Sequence, residues 1–143
     1  MNMSRIWLMS GAACAMLVVP VAAMAAEVKL VATLAGANET GGGDPDGSGT
    51  FSAKVDAEAG DLCYTLSGKA IGEPTAAHIH SGAAGSDGGP VMKLEVTGDD
   101  LDECVAVEPD KLKEILASPA DFYVNIHTAE FAKGAVRGQL SQP

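Results

Sequence analysis

The chain has 143 residues, 47% of them apolar and 4% aromatic, and 19 acidic residues against 9 basic ones give a formal charge of −10. A chain this acidic, without a cluster of Lys or Arg, does not seek phosphate backbones, so nucleic acid is not an expected partner. The length suits a single domain with one modest core.

Arg5 is the only charged residue before Glu27. Between them runs an apolar stretch, residues 6–22, closing on Ala23-Met24-Ala25. A short charged start, an apolar run and an A-x-A site predict a secretory signal peptide over residues 1–25. An uncut anchor is the rival, disfavoured by Pro20 and the small residues before the cleavage site. The expected mature domain is residues 26–143, periplasmic or secreted, with no stable membrane span after cleavage.

Cys14 falls in the signal, which leaves Cys63 and Cys104. In an oxidising compartment such a pair is normally a disulfide. Two thiolate metal ligands are the lesser alternative, because neither cysteine lies near a histidine and no C-x-x-C spacing occurs.

The rest reads as short strands and turns. Val28, Leu30, Ala32 and Leu34 alternate over 27–34, and residues 38–49 form a loop rich in glycine and aspartate. Phe51, Ala53 and Val55 alternate over 50–56, then Leu62, Tyr64 and Leu66 over 61–67. Strands follow at 75–80, 91–96 and 103–107, with a loop carrying four glycines at 81–90. Leu112, Ile115 and Leu116 fall at helical spacing behind Pro109, which predicts one short helix over 109–116. Residues 122–128 and 135–140 are the last strands, joined through Lys133-Gly134. Closely spaced short strands with turn signals predict an all-β chain: a Greek-key-like antiparallel β-sandwich or barrel with one short helix.

All three histidines lie in two of these strands, His78 and His80 in the first and His127 in the second. Strand residues two apart share a face. Ile79, Val124 and Ile126 therefore point into a core, while His78 and His80 point out, as do Tyr123, Asn125 and His127. If the strands are neighbours, three imidazoles converge. Imidazole suits copper and zinc, and three nitrogens leave an open coordination position. His78, His80 and His127 are thus the candidate metal ligands, with Asn125 placed to orient a ligand or a bound water. The competing reading makes the histidines structural, with His78 or His80 pinning the 81–90 loop and His127 bonding across strands. Arg137 is expected to make a structural ion pair with Glu130, Asp121 or another acid; the alternative is a ligand-orienting group or anion anchor beside the histidines. No nucleophile elbow or histidine–acid spacing selects a catalytic group.

His78-Ile79-His80-Ser81-Gly82-Ala83-Ala84-Gly85, Gly89-Pro90-Val91, Tyr123-Val124-Asn125-Ile126-His127-Thr128 and Gly134-Ala135-Val136-Arg137-Gly138-Gln139-Leu140 together resemble the CHRD domain, a module named after chordin that also occurs in bacterial secreted proteins. The resemblance spans residues 28–140. It implies a β-sandwich domain of extracytoplasmic proteins and implies little about activity. Chordin's growth-factor role does not carry over, since this chain lacks a cysteine-rich companion module. His78 and His80 also match, locally, the H-x-H strand of copper–zinc superoxide dismutases, but three histidines are too few for that two-metal site. The functional expectation is a secreted or periplasmic binding protein for a protein or envelope component, without clear catalytic activity. The alternative is an extracytoplasmic copper or zinc binding protein using the three histidines.

Overall fold

The structure is a computed structural model and describes residues 26–99 and 101–143. The expected signal peptide, residues 1–25, lies outside the described residues. Eight strands occur in chain order: β1 Val28–Ala35, β2 Ser48–Asp56, β3 Asp61–Lys69, β4 Pro74–Ser81, β5 Pro90–Leu94, β6 Glu103–Ala106, β7 Phe122–Thr128 and β8 Val136–Gln139. Among the described residues one α-helix, α1 Pro109–Ala117, lies between β6 and β7.

The strands form one antiparallel sheet in the order β5-β4-β7-β8-β1-β2-β3-β6. That sheet curls into a half-barrel. The segment after β5, at one end of the sheet, bonds to β3 near the other end: Glu95 N–H donates to Tyr64 Oη at 2.8 Å and Thr97 N–H to the Leu66 carbonyl at 2.9 Å. These bonds end β5 at Leu94, two residues short of the expected 96. Of the sandwich and barrel readings, the single curled sheet answers to the barrel.

Alternation sets the inner face. Leu30, Leu34, Phe51, Val55, Leu62, Leu66, Ile79, Val124, Ile126 and Val136 are buried in one core cluster. Each large apolar side chain withdrawn from water contributes about 1.5–3 kcal/mol, an upper figure because the unfolded chain already hides some surface. In α1, Pro109 occupies the first turn, where its missing N–H costs nothing, and Leu112 and Ile115 are the buried face. Pro119 disfavours helical backbone at Ser118, which ends the helix. Cys63 and Cys104 face each other in the β3–β6 ladder and form the expected disulfide.

The expected 38–49 loop, whose last two residues open β2 instead, takes a part that its composition does not announce. It folds back over the outer side of the sheet. Asp44 N–H donates to the Ala135 carbonyl at 2.8 Å, the Asn38 amide to the Arg137 carbonyl at 3.0 Å, and Thr40 Oγ1 to Asp87 in the β4–β5 loop. Gly36 makes this path possible, since a Cβ there would run into the Asp44 backbone. The outer face of β4, β7 and β8 is thus roofed by two loops.

Candidate metal site and adjoining cavity

Register brings the histidines together. In the β4–β7 ladder His78 lies opposite Asn125, His80 opposite Tyr123 and Ala76 opposite His127. In the β7–β8 ladder Asn125 lies opposite Arg137 and Tyr123 opposite Gln139. Every outward residue singled out in the sequence therefore lies on three adjacent strands. The rings of His78 and His127 have centroids 5.2 Å apart, and those of His78 and His80 5.3 Å. His78 Nδ1 is 3.2 Å from His127 Nε2. One nitrogen from each of the three rings lies within 4.8 Å of the others.

Hydrogen bonding fixes which nitrogens are free. His80 Nδ1 is 2.9 Å from the Gly88 carbonyl, and His127 Nδ1 is 3.1 Å from the Ala132 carbonyl. A carbonyl only accepts, so both Nδ1 atoms carry the hydrogen and both Nε2 atoms hold a lone pair. His80 Nε2 is buried without a partner. Both sequence readings thus meet in one ring. His80 does pin the 81–90 loop, but with one nitrogen only, and the other remains available. A tetrahedral ion with nitrogens at about 2.0–2.1 Å sets them roughly 3.3 Å apart. The His78–His127 pair already has that spacing, and His80 has to close by about 1.5 Å at most.

The electrostatics favour neutral rings. Burial lowers the pKa of His78 below the ordinary imidazole value, and His127, His80 and Lys93 push it the same way. His127 is also lowered by burial and by His80, against a smaller upward pull from the Ala132 carbonyl. Neutral imidazole is the form that ligates metal.

Arg137 is buried in a network of contacts. It is 1% exposed, and its guanidinium carbon lies 3.4 Å from the centre of the Tyr123 ring. Tyr123 stacks in turn on His80, with centroids 4.9 Å apart and planes 5° from parallel. The acid paired with Arg137 is Asp87, at 3.2 Å, rather than Glu130 or Asp121. Arg137 Nη2 also donates to the Ala83 and Ser86 carbonyls. The guanidinium therefore gathers the 81–90 loop and holds the ring on which His80 rests.

Beside the histidines lies a cavity of about 410 Å³, lined among others by Glu39, His80, Asp87, Tyr123, Asn125 and Lys133. Asn125 is 2% exposed, and its Oδ1 has no partner. Glu39 Oε1 is likewise buried and unpartnered. Burial pushes the Glu39 pKa up to about 7; Asp87 adds to the rise, and Arg137 and the Asn125 amide oppose it. Sequence reasoning missed Glu39 because only the fold of the 38–49 loop carries it over β7. Asn125 was expected to orient a ligand, and it faces this cavity.

A family model described as the CHRD domain matches residues 30–140. No curated protein and no solved structure matches the chain. No helix among the described residues is long and apolar enough to cross a membrane.

Proposed function

The chain belongs to the CHRD domain family, and from that premise we propose an extracytoplasmic binding domain whose ligand is one copper or zinc ion held by His78, His80 and His127. The family is of an extracellular, binding type, and the Cys63–Cys104 disulfide suits an oxidising compartment. The observation that carries the metal is the tautomer pattern. Two backbone carbonyls hold Nδ1–H on His80 and His127, as acceptors behind metal-bound histidines do, and leave a lone pair on each Nε2. A set of three imidazoles matches copper and zinc better than calcium or magnesium, which take oxygen ligands. Binding rather than turnover is our reading of the domain; Cys63 and Cys104 are joined and supply no thiolate nucleophile. A protein or envelope partner is compatible with this reading and rests on the family alone.

Equilibrium dialysis of chelator-stripped protein against copper and zinc tests it. One ion per chain, with a loss of affinity of at least about tenfold in His80→Ala and in His127→Ala, is expected. Uptake no greater than that of the His78→Ala/His80→Ala/His127→Ala variant would overturn it.

A further inference from the structure

We infer that the cavity beside the histidines is the seat of an exogenous ligand on that ion, and that the ligand is a primary amine rather than an anion. The inference rests on the metal reading above and adds the identity of the fourth partner. Three buried acceptors have no hydrogen-bond partner among the described residues: His80 Nε2, Asn125 Oδ1 and Glu39 Oε1. All three residues line the same cavity, of about 410 Å³. Buried acceptors left unpaired are costly, and a cluster of them marks a place where something with donors binds.

The three acceptors have different uses. His80 Nε2 is an imidazole lone pair, which the ion takes. Asn125 Oδ1 and, in the carboxylate form present at pH 9, Glu39 Oε1 are oxygens that need N–H or O–H groups. A ligand that satisfies them while coordinating the ion needs a lone pair on one side of an atom and hydrogens on the other. A primary amine has both: the ammonium form loses one proton to solvent on coordination, the lone pair binds the ion, and two N–H bonds remain for the oxygens. An anion such as azide brings no hydrogens to these oxygens, and it meets the Glu39 carboxylate; Lys133 is also on the cavity wall, but its charge does not give an anion the hydrogens that both oxygens need. Water has the right hydrogens but fills a small part of the space. Asp87 does not compete for the amine, because its carboxylate already accepts from Thr40 and Arg137.

The test uses the full-length protein loaded with copper(II) and titrated with n-propylamine and, separately, with sodium azide at pH 9, read by the ligand-field absorption band and by electron paramagnetic resonance. Saturable amine binding at least tenfold tighter than azide is expected. Glu39→Gln should keep one copper per chain and weaken the amine about tenfold while leaving azide unchanged or tighter. Asn125→Asp, which keeps the shape and adds a carboxylate oxygen, should retain or strengthen the amine. Copper bound at one per chain with azide equal to or tighter than the amine, or with Glu39→Gln indistinguishable from the parent, overturns the inference and leaves the metal reading standing. No copper bound at all overturns both.

Discussion

His78 Nδ1 and His127 Nε2 face each other at 3.2 Å across the β4–β7 ladder, from positions diagonal in the register. At that distance the pair holds one hydrogen or one ion between two lone pairs, and it resists a second proton. The neighbouring His80 sharpens the same constraint, since its charge would push the pKa of both His78 and His127 down.

Acid should therefore destabilise the domain. His78 and His127 have folded pKa values below the unfolded one of about 6.5, so their contribution is complete above that pH and is lost as pH falls through the folded values. Chemical denaturation between pH 7.5 and 4.5 should show falling stability, with a shallower fall in His78→Gln/His127→Gln. A metal-loaded sample should show the steeper dependence, because protons and the ion compete for the same lone pairs.

Glu39 has the opposite sign. Its folded pKa of about 7 lies above the ordinary carboxyl value of 4.5, so its contribution is complete below 4.5 and is lost as pH rises through about 7. Without metal or amine, Glu39→Gln should be the more stable protein at pH 8.5, by roughly 1 kcal/mol once solvent screening at this half-buried site is allowed for. Urea titration at pH 5 and at pH 8.5 checks it: the advantage of the variant should shrink or vanish at the lower pH.

Arg137→Lys should cost about 2 kcal/mol in urea, because an ammonium cannot reproduce the fork to Ala83, Ser86 and Asp87 or the stack on Tyr123. Faster amide hydrogen exchange should be confined to the 81–90 loop and its neighbours. Metal affinity should fall about tenfold, since the ring that supports His80 is released.

Gly88→Ala should affect the site more than its size suggests. A Cβ at Gly88 would run into the Ser81 carbonyl, so the segment must shift and take the carbonyl away from His80. We expect a loss of about 1–3 kcal/mol in stability and about tenfold in metal affinity. Gly89→Ala, where a Cβ meets nothing, should stay within about 0.5 kcal/mol of the parent in urea.

Reduction of Cys63–Cys104, or Cys63→Ser/Cys104→Ser, should remove about 2–4 kcal/mol, the loop-closure effect of a crosslink across 41 positions. The melting temperature should drop by roughly 10 °C or more. Metal uptake well below the new transition should persist, because the bond joins β3 and β6, and none of the three histidines lies on or pairs with either strand.

Strand alternation carried most of the fold. Ile79 between two histidines, and Val124 and Ile126 between Tyr123, Asn125 and His127, announce which side faces the core, so the convergence of the imidazoles follows once β4 and β7 are neighbours. Their adjacency is a matter of long-range topology, which no local pattern encodes. The same holds for Glu39, whose place over β7 depends on contacts of Asn38 and Asp44 with residues nearly a hundred positions away. Arg137 was legible as a structural ion pair, but its partner was not: Asp87 reaches it only because the 81–90 loop closes over Tyr123. The free lone pair on His80 was invisible in the sequence, since it depends on one carbonyl, that of Gly88, meeting one nitrogen.

X-ray absorption at the metal edge of the zinc-loaded protein tests the central claim most directly. Three imidazole nitrogens at about 2.0–2.1 Å, with the imidazole outer-shell scattering reduced by one ring in His80→Ala, are predicted. A shell of oxygens alone, or a spectrum unchanged by replacing all three histidines with alanine, would contradict it.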